Sequence, residues 1–458
     1  MGVVDILVGI SSMLPEIKAP EKEVPFKTKM LITLGAVIIF FVLGNIWCIG
    51  LDTLSASVQN IQIYQTLLAS QMGTLISAGI GPIVMASIFL QLFVGAKILN
   101  ISFSDPVGRS KFQALQKVLA VALCFIEAFI YVASGLLTPL GGVSLFNPVM
   151  WLVIAQVALG SLILLYLDEI LSKYGIGSGI SLFIAAGVAG GLFWQIFMPP
   201  IDSVFNPILA NGGIIWKLIT LGDPWLLLPI LGVIGIFLVV VFAEGIHVNI
   251  PITLGRSGTG GRYPVKFLYV SNMPVILAMA LFANVKLWSL FLEKVPILGQ
   301  MMGAAAWAVQ IPSIGGMSIV EGIVRQGITS QAVQLAILQA GIFLILLIIV
   351  CVIFGWLWTE MSNQSTSAVA EQLHNSGMQI PGFRSDKRII EKVLGRYIPP
   401  ITILGSIFVA LLAGIGDMVL SGLSSGTGIL LTVGIIYRFY EEIAKTQAET
   451  IAKLLGKG

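Results

Sequence analysis

Charge is what this chain most lacks. Only 10% of its 458 residues are charged and 57% are hydrophobic, whereas a soluble domain carries about 25% charged residues. So few charges cannot cover the surface that a soluble fold of this length turns to water, and the chain is read as an integral membrane protein. Histidine is nearly missing. His247 and His374 both fall in polar loops, so no apolar segment holds the imidazole that an intramembrane metal centre or serine–histidine hydrolase needs. The three cysteines, Cys48, Cys124 and Cys351, are scattered through apolar runs, which reads as packing. Neither a GxxxxGK[ST] phosphate loop nor an HExxH pair occurs, so an ATP motor and a zinc protease of that type are not expected. Asp168 and Asp417 lie near the ends of separate apolar segments, on what the topology makes opposite membrane faces, and cannot form a protease dyad. Glu127 alone is deep within a span; one carboxylate makes no proton relay, and a hydrogen bond between helices is its plainer role. The chain is therefore expected to be no enzyme and to need no cofactor or metal.

What is abundant is long apolar sequence. A spanning helix needs about 20 mostly apolar residues, and ten stretches qualify: roughly 30–50, 72–96, 118–137, 148–167, 177–197, 225–243, 267–292, 332–358, 398–416 and 422–440. Twenty-one of the 25 Lys and Arg fall in the two ends of the chain and in the loops after even-numbered spans, so those parts are predicted to be cytosolic. The expected fold is an all-α membrane protein. Residues 1–29 form a cytosolic arm without a cleavable leader, 30–198 a first half of five spans, 199–224 an external hinge, 225–441 a second half of five, and 442–458 a cytosolic tail. Five plus five in opposite orientation is the arrangement of an inverted repeat, inferred from topology because the halves show no convincing identity. Residues 51–70 are too polar to span, and 295–316 are too short.

Several ordered motifs carry a resemblance. GTLISAGIGPIV (73–84), YLDEILSKYGIGSGISLFIAAG (166–187), RYPVKFLYVSNMPVILAMALFANVKLW (262–288), GRYIPPIT (395–402) and GTGILLTV (426–433) resemble the SecY family, the channel-forming subunits of the Sec protein translocon, in its archaeal form. The resemblance runs over nearly the whole chain. It implies an hourglass pore between two pseudo-symmetric inverted halves, with a plug helix at about 55–70 that includes Gln59, Asn60, Ile61, Gln62, Ile63 and Tyr64. The family's pore ring falls on Ile80, Val84, Ile180, Ile184, Ile276 and Leu431. Such a ring offers no hydrogen bonds or charges, so it holds no passing side chain strongly, and when empty it resists wetting by ions. The family's lateral gate has polar positions at Glu127 and Asn284; the third, usually Thr, is Met85 here, which predicts a gate held shut more by packing.

The resemblance also implies partners: a SecE- or gamma-type and a beta-type small subunit, signal sequences and nascent chains, membrane lipid and the ribosome. Ribosomal RNA phosphates would meet the basic loops at Arg256, Arg262 and Lys266 and at Arg384, Lys387 and Arg388. The plainer reading of these charges is positive-inside topology. The competing functional class is an inverted-repeat secondary transporter of small solutes. It would need a polar midplane site, and coupling charges are nearly absent.

Overall fold

A backbone surrounded by lipid must satisfy its polar groups within the segment, so long apolar runs become helices. The computed structural model describes residues 9, 11, 13–22, 24–52, 69–96, 98–99, 101, 106–198, 213–222, 227–254, 259–293, 295–314, 318–362, 364–375, 378–379, 387–420 and 425–455. The first part of the chain supplies α1 (Phe26–Asn45), α2 (Gly81–Gly95), α3 (Pro106–Ala133), α4 (Pro148–Tyr174) and α5 (Gly179–Phe197). A short α6 (Ile214–Leu221) falls in the expected hinge. Then come α7 (Leu228–Gly245), α8 (Met273–Leu292), α9 (Leu298–Val309), α10 (Ile319–Gln326), α11 (Gln331–Met361), α12 (Thr366–Asn375), α13 (Lys387–Leu394), α14 (Ile398–Leu420) and α15 (Gly426–Leu455). Among the described residues, seven helices are long and apolar enough to cross a membrane, and two shorter apolar helices match the second and sixth expected spans. The tenth expected span is the start of α15, which also carries Arg438, Glu441 and Glu442.

The second span is shorter than its apolar run. Residues 72–80 are turns rather than helix, and α2 starts only at Gly81. Gly73 and Gly79 have φ of +84° and +56°, values that glycine adopts without steric cost, and Pro82 sits in the first turn of α2. Irregular backbone survives inside a membrane protein only when protein buries it. Here Ile76, Ser77, Ala78 and Ile80 are fully buried. The segment's polar groups are met from nearby: Cys48 N donates to Gly73 O (2.9 Å) and Leu75 N to Ile46 O (3.0 Å), while Thr74 Oγ1 and Ser77 Oγ donate to Gln71 O and Thr74 O.

Helix α4 organises this region with one face. The Gln156 side chain pairs with the backbone of Ile49 as a strand would: Ile49 N donates to Oε1 (2.9 Å) and Nε2 donates to Ile49 O (3.0 Å). One turn on, Gly160 lies so close to Leu75 that a Cβ would overlap the Leu75 carbonyl. At the other end of α4, Glu169 accepts from Lys117 of α3 (2.8 Å), from Lys173 (3.0 Å) and from Ile17 N of the arm (3.2 Å). Lys117 also donates to Pro15 O (2.6 Å), and Tyr174 Oη to Lys18 O (2.8 Å). The arm is thereby strapped over the ends of α3 and α4.

One element was not expected in an all-α reading. β1 (His247–Leu254) and β2 (Thr259–Lys266) form an antiparallel hairpin, and β3 (Met378–Gln379) adds to β1, in the order β2-β1-β3. The cue was present: Val248, Ile250 and Ile252 alternate before a glycine-rich stretch, the signature of a hairpin. The sheet shares an apolar core with α12 and α13, in which Ile250, Val265, Val369, Leu373, Ile390 and Leu394 are buried together. Two loops far apart in sequence thus form one body.

Candidate functional site

The six aliphatic positions come from four helices and the turn before α2, and all belong to the main apolar core. Ile80, Val84, Ile184, Ile276 and Leu431 are buried in a single apolar cluster, and the half-buried Ile180 packs against it. Local structure explains each place. Ile80 closes the turn that Gly79 makes, and Val84 is one turn into α2, its N–H on Ile80 O (3.1 Å). Ile180 and Ile184 are one turn apart on α5, hence on one face. Ile276 lies one turn after Asn272, whose Nδ2 donates to Leu430 O (3.3 Å) on α15. That bond links the start of α8 to the residue beside Leu431. Asn272 was not singled out in the sequence; its only signal is a polar side chain leading an apolar run.

Glycine contacts fix how α5 and α15 pass each other. A Cβ on Gly177 would meet Phe439 at 2.7 Å, and one on Gly428 would meet Val188 at 3.1 Å. Both contacts belong to one antiparallel register. Four residues inward from each of Val188 and Gly428, Ile184 comes level with Thr432, next to Leu431. Two residues distant in sequence therefore sit at one height because small residues let the backbones close up. The same holds at Gly179, where a Cβ would lie 2.6 Å from Asp168 Cα. These glycines serve close packing.

The two groups of helices meet along a second seam, where α2 and α3 pack on α8, and α2 also on α11. Met85 and Asn284 are fully buried there and Glu127 is 2% exposed. Asn284 Nδ2 donates to Ala280 O of its own helix (3.0 Å). Neither Glu127 oxygen, nor Asn284 Oδ1, has a hydrogen-bond partner among the described residues. Aromatic contacts do cross the seam: Phe89 of α2 stacks on Trp288 of α8 at 6.1 Å, and Phe129 of α3 meets Phe291 of α8 edge-on at 6.3 Å. Sequence reasoning missed these four rings.

Of the basic positions, Arg256 and Arg384 lie outside the described residues, as do Gln59, Asn60, Ile61, Gln62, Ile63 and Tyr64. Arg262 is in β2, with no side-chain position described. Lys266 is engaged within the chain: its Nζ is 2.6 Å from both carboxylate oxygens of Glu441 and 5.5 Å from the Tyr437 ring centroid. Lys387 pairs with Glu371 at 2.8 Å, and Arg388 is exposed on α13.

Comparison with known proteins places this geometry in a family. A family profile described as SecY matches residues 74–440. The protein translocase subunit SecY of Methanocaldococcus jannaschii is 42% identical, over 98% of this chain and 99% of the relative. A solved structure described as "The structure of a protein conducting channel" superposes with a TM-score of 0.79 at 39% identity, covering 98% of both chains. Another, "Sec61 in the Canine ribosome-channel complex from the endoplasmic reticulum", superposes with a TM-score of 0.76 at 38% identity, covering 98% of this chain and 97% of the other.

Proposed function

Because the chain belongs to the SecY family, we propose that it is the central pore subunit of a protein translocon. It is a multi-pass membrane protein that passively conducts unfolded polypeptides across the membrane and releases hydrophobic segments sideways into lipid. It acts as a channel and not as an enzyme. The observation that carries this reading is that the six expected pore positions, on α2, α5, α8, α15 and the turn before α2, all hold aliphatic side chains set in the same apolar core. A gasket of such groups closes around any chain without selecting its side chains and dewets when empty. The relatives are translocase subunits and protein-conducting channels, which sets aside the solute transporter. Both ends of the chain are assigned to the cytosol and the protein to the plasma membrane. The halves 30–198 and 225–441 hinge at 199–224, and residues 55–70 are the plug.

The test arrests a secretory polypeptide within the reconstituted complex and maps crosslinks from residues 80, 180 and 276. Strong crosslinks at all three are expected. Their absence, with small-solute uptake in its place, overturns the reading.

Glu127 and Asn284 Oδ1, which have no hydrogen-bond partner among the described residues, and the buried Met85 support a lateral gate held shut by packing, including the Phe89–Trp288 and Phe129–Phe291 contacts. Met85→Thr should therefore open about tenfold more readily, since losing the methionine's packing costs more than about 1.4 kcal/mol. Fluorescence between labels on α2 and α8 reads the opening, and an unaltered distribution counts against packing control.

For the ribosome, the sheet with α12 and α13 offers a single scaffold for both basic loops. Lys266 and Lys387 also pair with Glu441 and Glu371, and docking is assigned to the two loops together: Arg256, Arg262 and Lys266 in one, Arg384, Lys387 and Arg388 in the other. Arg384→Glu should weaken ribosome binding roughly tenfold and lower the slope of log affinity against log salt by about one. Equal affinity and slope in the variant would remove Arg384 from the interface. The small partner subunits are expected on apolar outer faces such as that of α7, where Leu231, Leu238 and Phe242 are exposed.

A further inference from the structure

We infer that Asp168 and Asp417 are equivalent positioning residues, each clasping the start of the helix that carries a pore-ring side chain and so holding Ile184 and Leu431 at one height. The inference rests on the pore reading above and deepens it.

The two helix starts correspond residue by residue. Ser178-Gly179-Ile180-Ser181-Leu182-Phe183-Ile184 aligns with Ser425-Gly426-Thr427-Gly428-Ile429-Leu430-Leu431, and Gly187 then aligns with Gly434. At the third position of both, the backbone N–H donates to a carboxylate of the preceding helix. Ile180 N lies 2.9 Å from Asp168 Oδ1, and Thr427 N lies 2.9 Å from Asp417 Oδ1. At the first position the serine hydroxyl serves the same carboxylate. Ser425 Oγ is 2.8 Å from Asp417 Oδ1, and Ser178 hydrogen-bonds Asp168. At the second position glycine is required on both sides. A Cβ on Gly179 would meet Asp168 Cα at 2.6 Å, and one on Gly426 would meet Asp417 N at 2.5 Å. In the second half Thr427 Oγ1 adds a bond to Asp417 Oδ2 at 2.6 Å.

These are not ordinary caps. An N-cap normally comes from the residue next to the helix and fixes only that turn. Here the cap comes from the previous helix, so it welds α4 to α5 and α14 to α15. It uses the N–H groups that a helix start leaves without partners, and low surrounding polarity strengthens the bonds. In each half the capped residue is four positions before the ring residue, which puts the ring side chain about 6 Å further along the same helix face. Because α5 and α15 run antiparallel, the clasps grip the pair from opposite ends. A slip of one residue at either end would shift one ring member by about 1.5 Å relative to the other.

The test uses the full chain with its small partner subunits in vesicles, Cys48, Cys124 and Cys351 replaced by alanine. I184C or L431C is oxidised against a single cysteine in an arrested translocating polypeptide. D168A should cut the I184C disulfide yield at least about threefold, the low end for a lost helix cap, and leave L431C unchanged; D417A should do the reverse. D168N and D417N keep an oxygen for the backbone N–H and should recover at least half of the loss, which a loss of carboxylate charge alone would not do. Equal losses at both cysteines, no loss, or asparagine no better than alanine each overturn the inference. If the alanine variants do not assemble, T427A removes the hydroxyl donor to Asp417 Oδ2 and leaves Ser425, which also accepts from Gly428 N (3.1 Å), in place. A selective fall at L431C supports the clasp, and none refutes it. Absence of both disulfides in the chain with Asp168 and Asp417 intact overturns the pore reading itself.

Discussion

Exchanging Ile184 and Leu431 together for serine should raise the resting ion permeability of the reconstituted channel by at least about tenfold, because a wetting barrier lowered by only 1.4 kcal/mol suffices. The two side chains are 0% and 1% exposed, on helices α5 and α15 that pack against each other. Each carries apolar surface whose burial is worth about 1.5–3 kcal/mol, and a hydroxyl in its place welcomes water into the constriction. Conductance across a planar bilayer, with no polypeptide engaged, reads the effect. Leu238 is 60% exposed on the outer face of α7, so Leu238→Ser should leave the leak at its original level. A double variant as tight as the original chain would mean that these side chains do not line the waist.

Gly160→Leu should have the largest effect on stability. The α4 backbone there lies against the Leu75 carbonyl with no room for a Cβ, and the carbonyl belongs to the buried turns that lead into α2. Overpacking a tight contact costs about 1–3 kcal/mol when the neighbour can shift. Residues 73–75 cannot shift freely, because Gly73 O and Leu75 N are bonded to Cys48 and Ile46. Gly160→Ala is expected to lose about 2 kcal/mol, and Gly160→Leu to fail to accumulate as a folded protein. Thermal unfolding in detergent follows the first, and the yield of monodisperse protein the second. Gly341 of α11 has nothing near its would-be Cβ, so Gly341→Ala should be neutral. If Gly160→Ala matched it, the close approach to Leu75 would have no energetic weight.

The broad outline was legible because lipid imposes a coarse rule. Apolar length is enough to mark where the long helices fall, seven of them long enough to span among the described residues. The ring was another matter. An isoleucine in a span looks the same whether it meets lipid or lines a passage, and only the resemblance singled out Ile80 or Ile276. Features that depend on contact escaped. The glycines and Pro82 near α2 were visible, but burial of the whole stretch by Ile46, Cys48 and α4 was not. The sheet was hidden in a polar loop whose alternation is short and whose partner, β3, is more than a hundred residues away. The likeness of the two halves was read from topology alone; the cap they share, an aspartate followed some ten residues later by Ser-Gly, escaped because it depends on contact.

The paired use of one α4 face bears on how the newly made chain matures. Gln156 supplies both hydrogen bonds to Ile49, and Gly160 admits Leu75 one turn away. Until α4 has been synthesised, residues 46–49 and 73–75 have only each other to settle against. The amino-terminal helices can therefore reach their final packing only once the fourth is present to receive them.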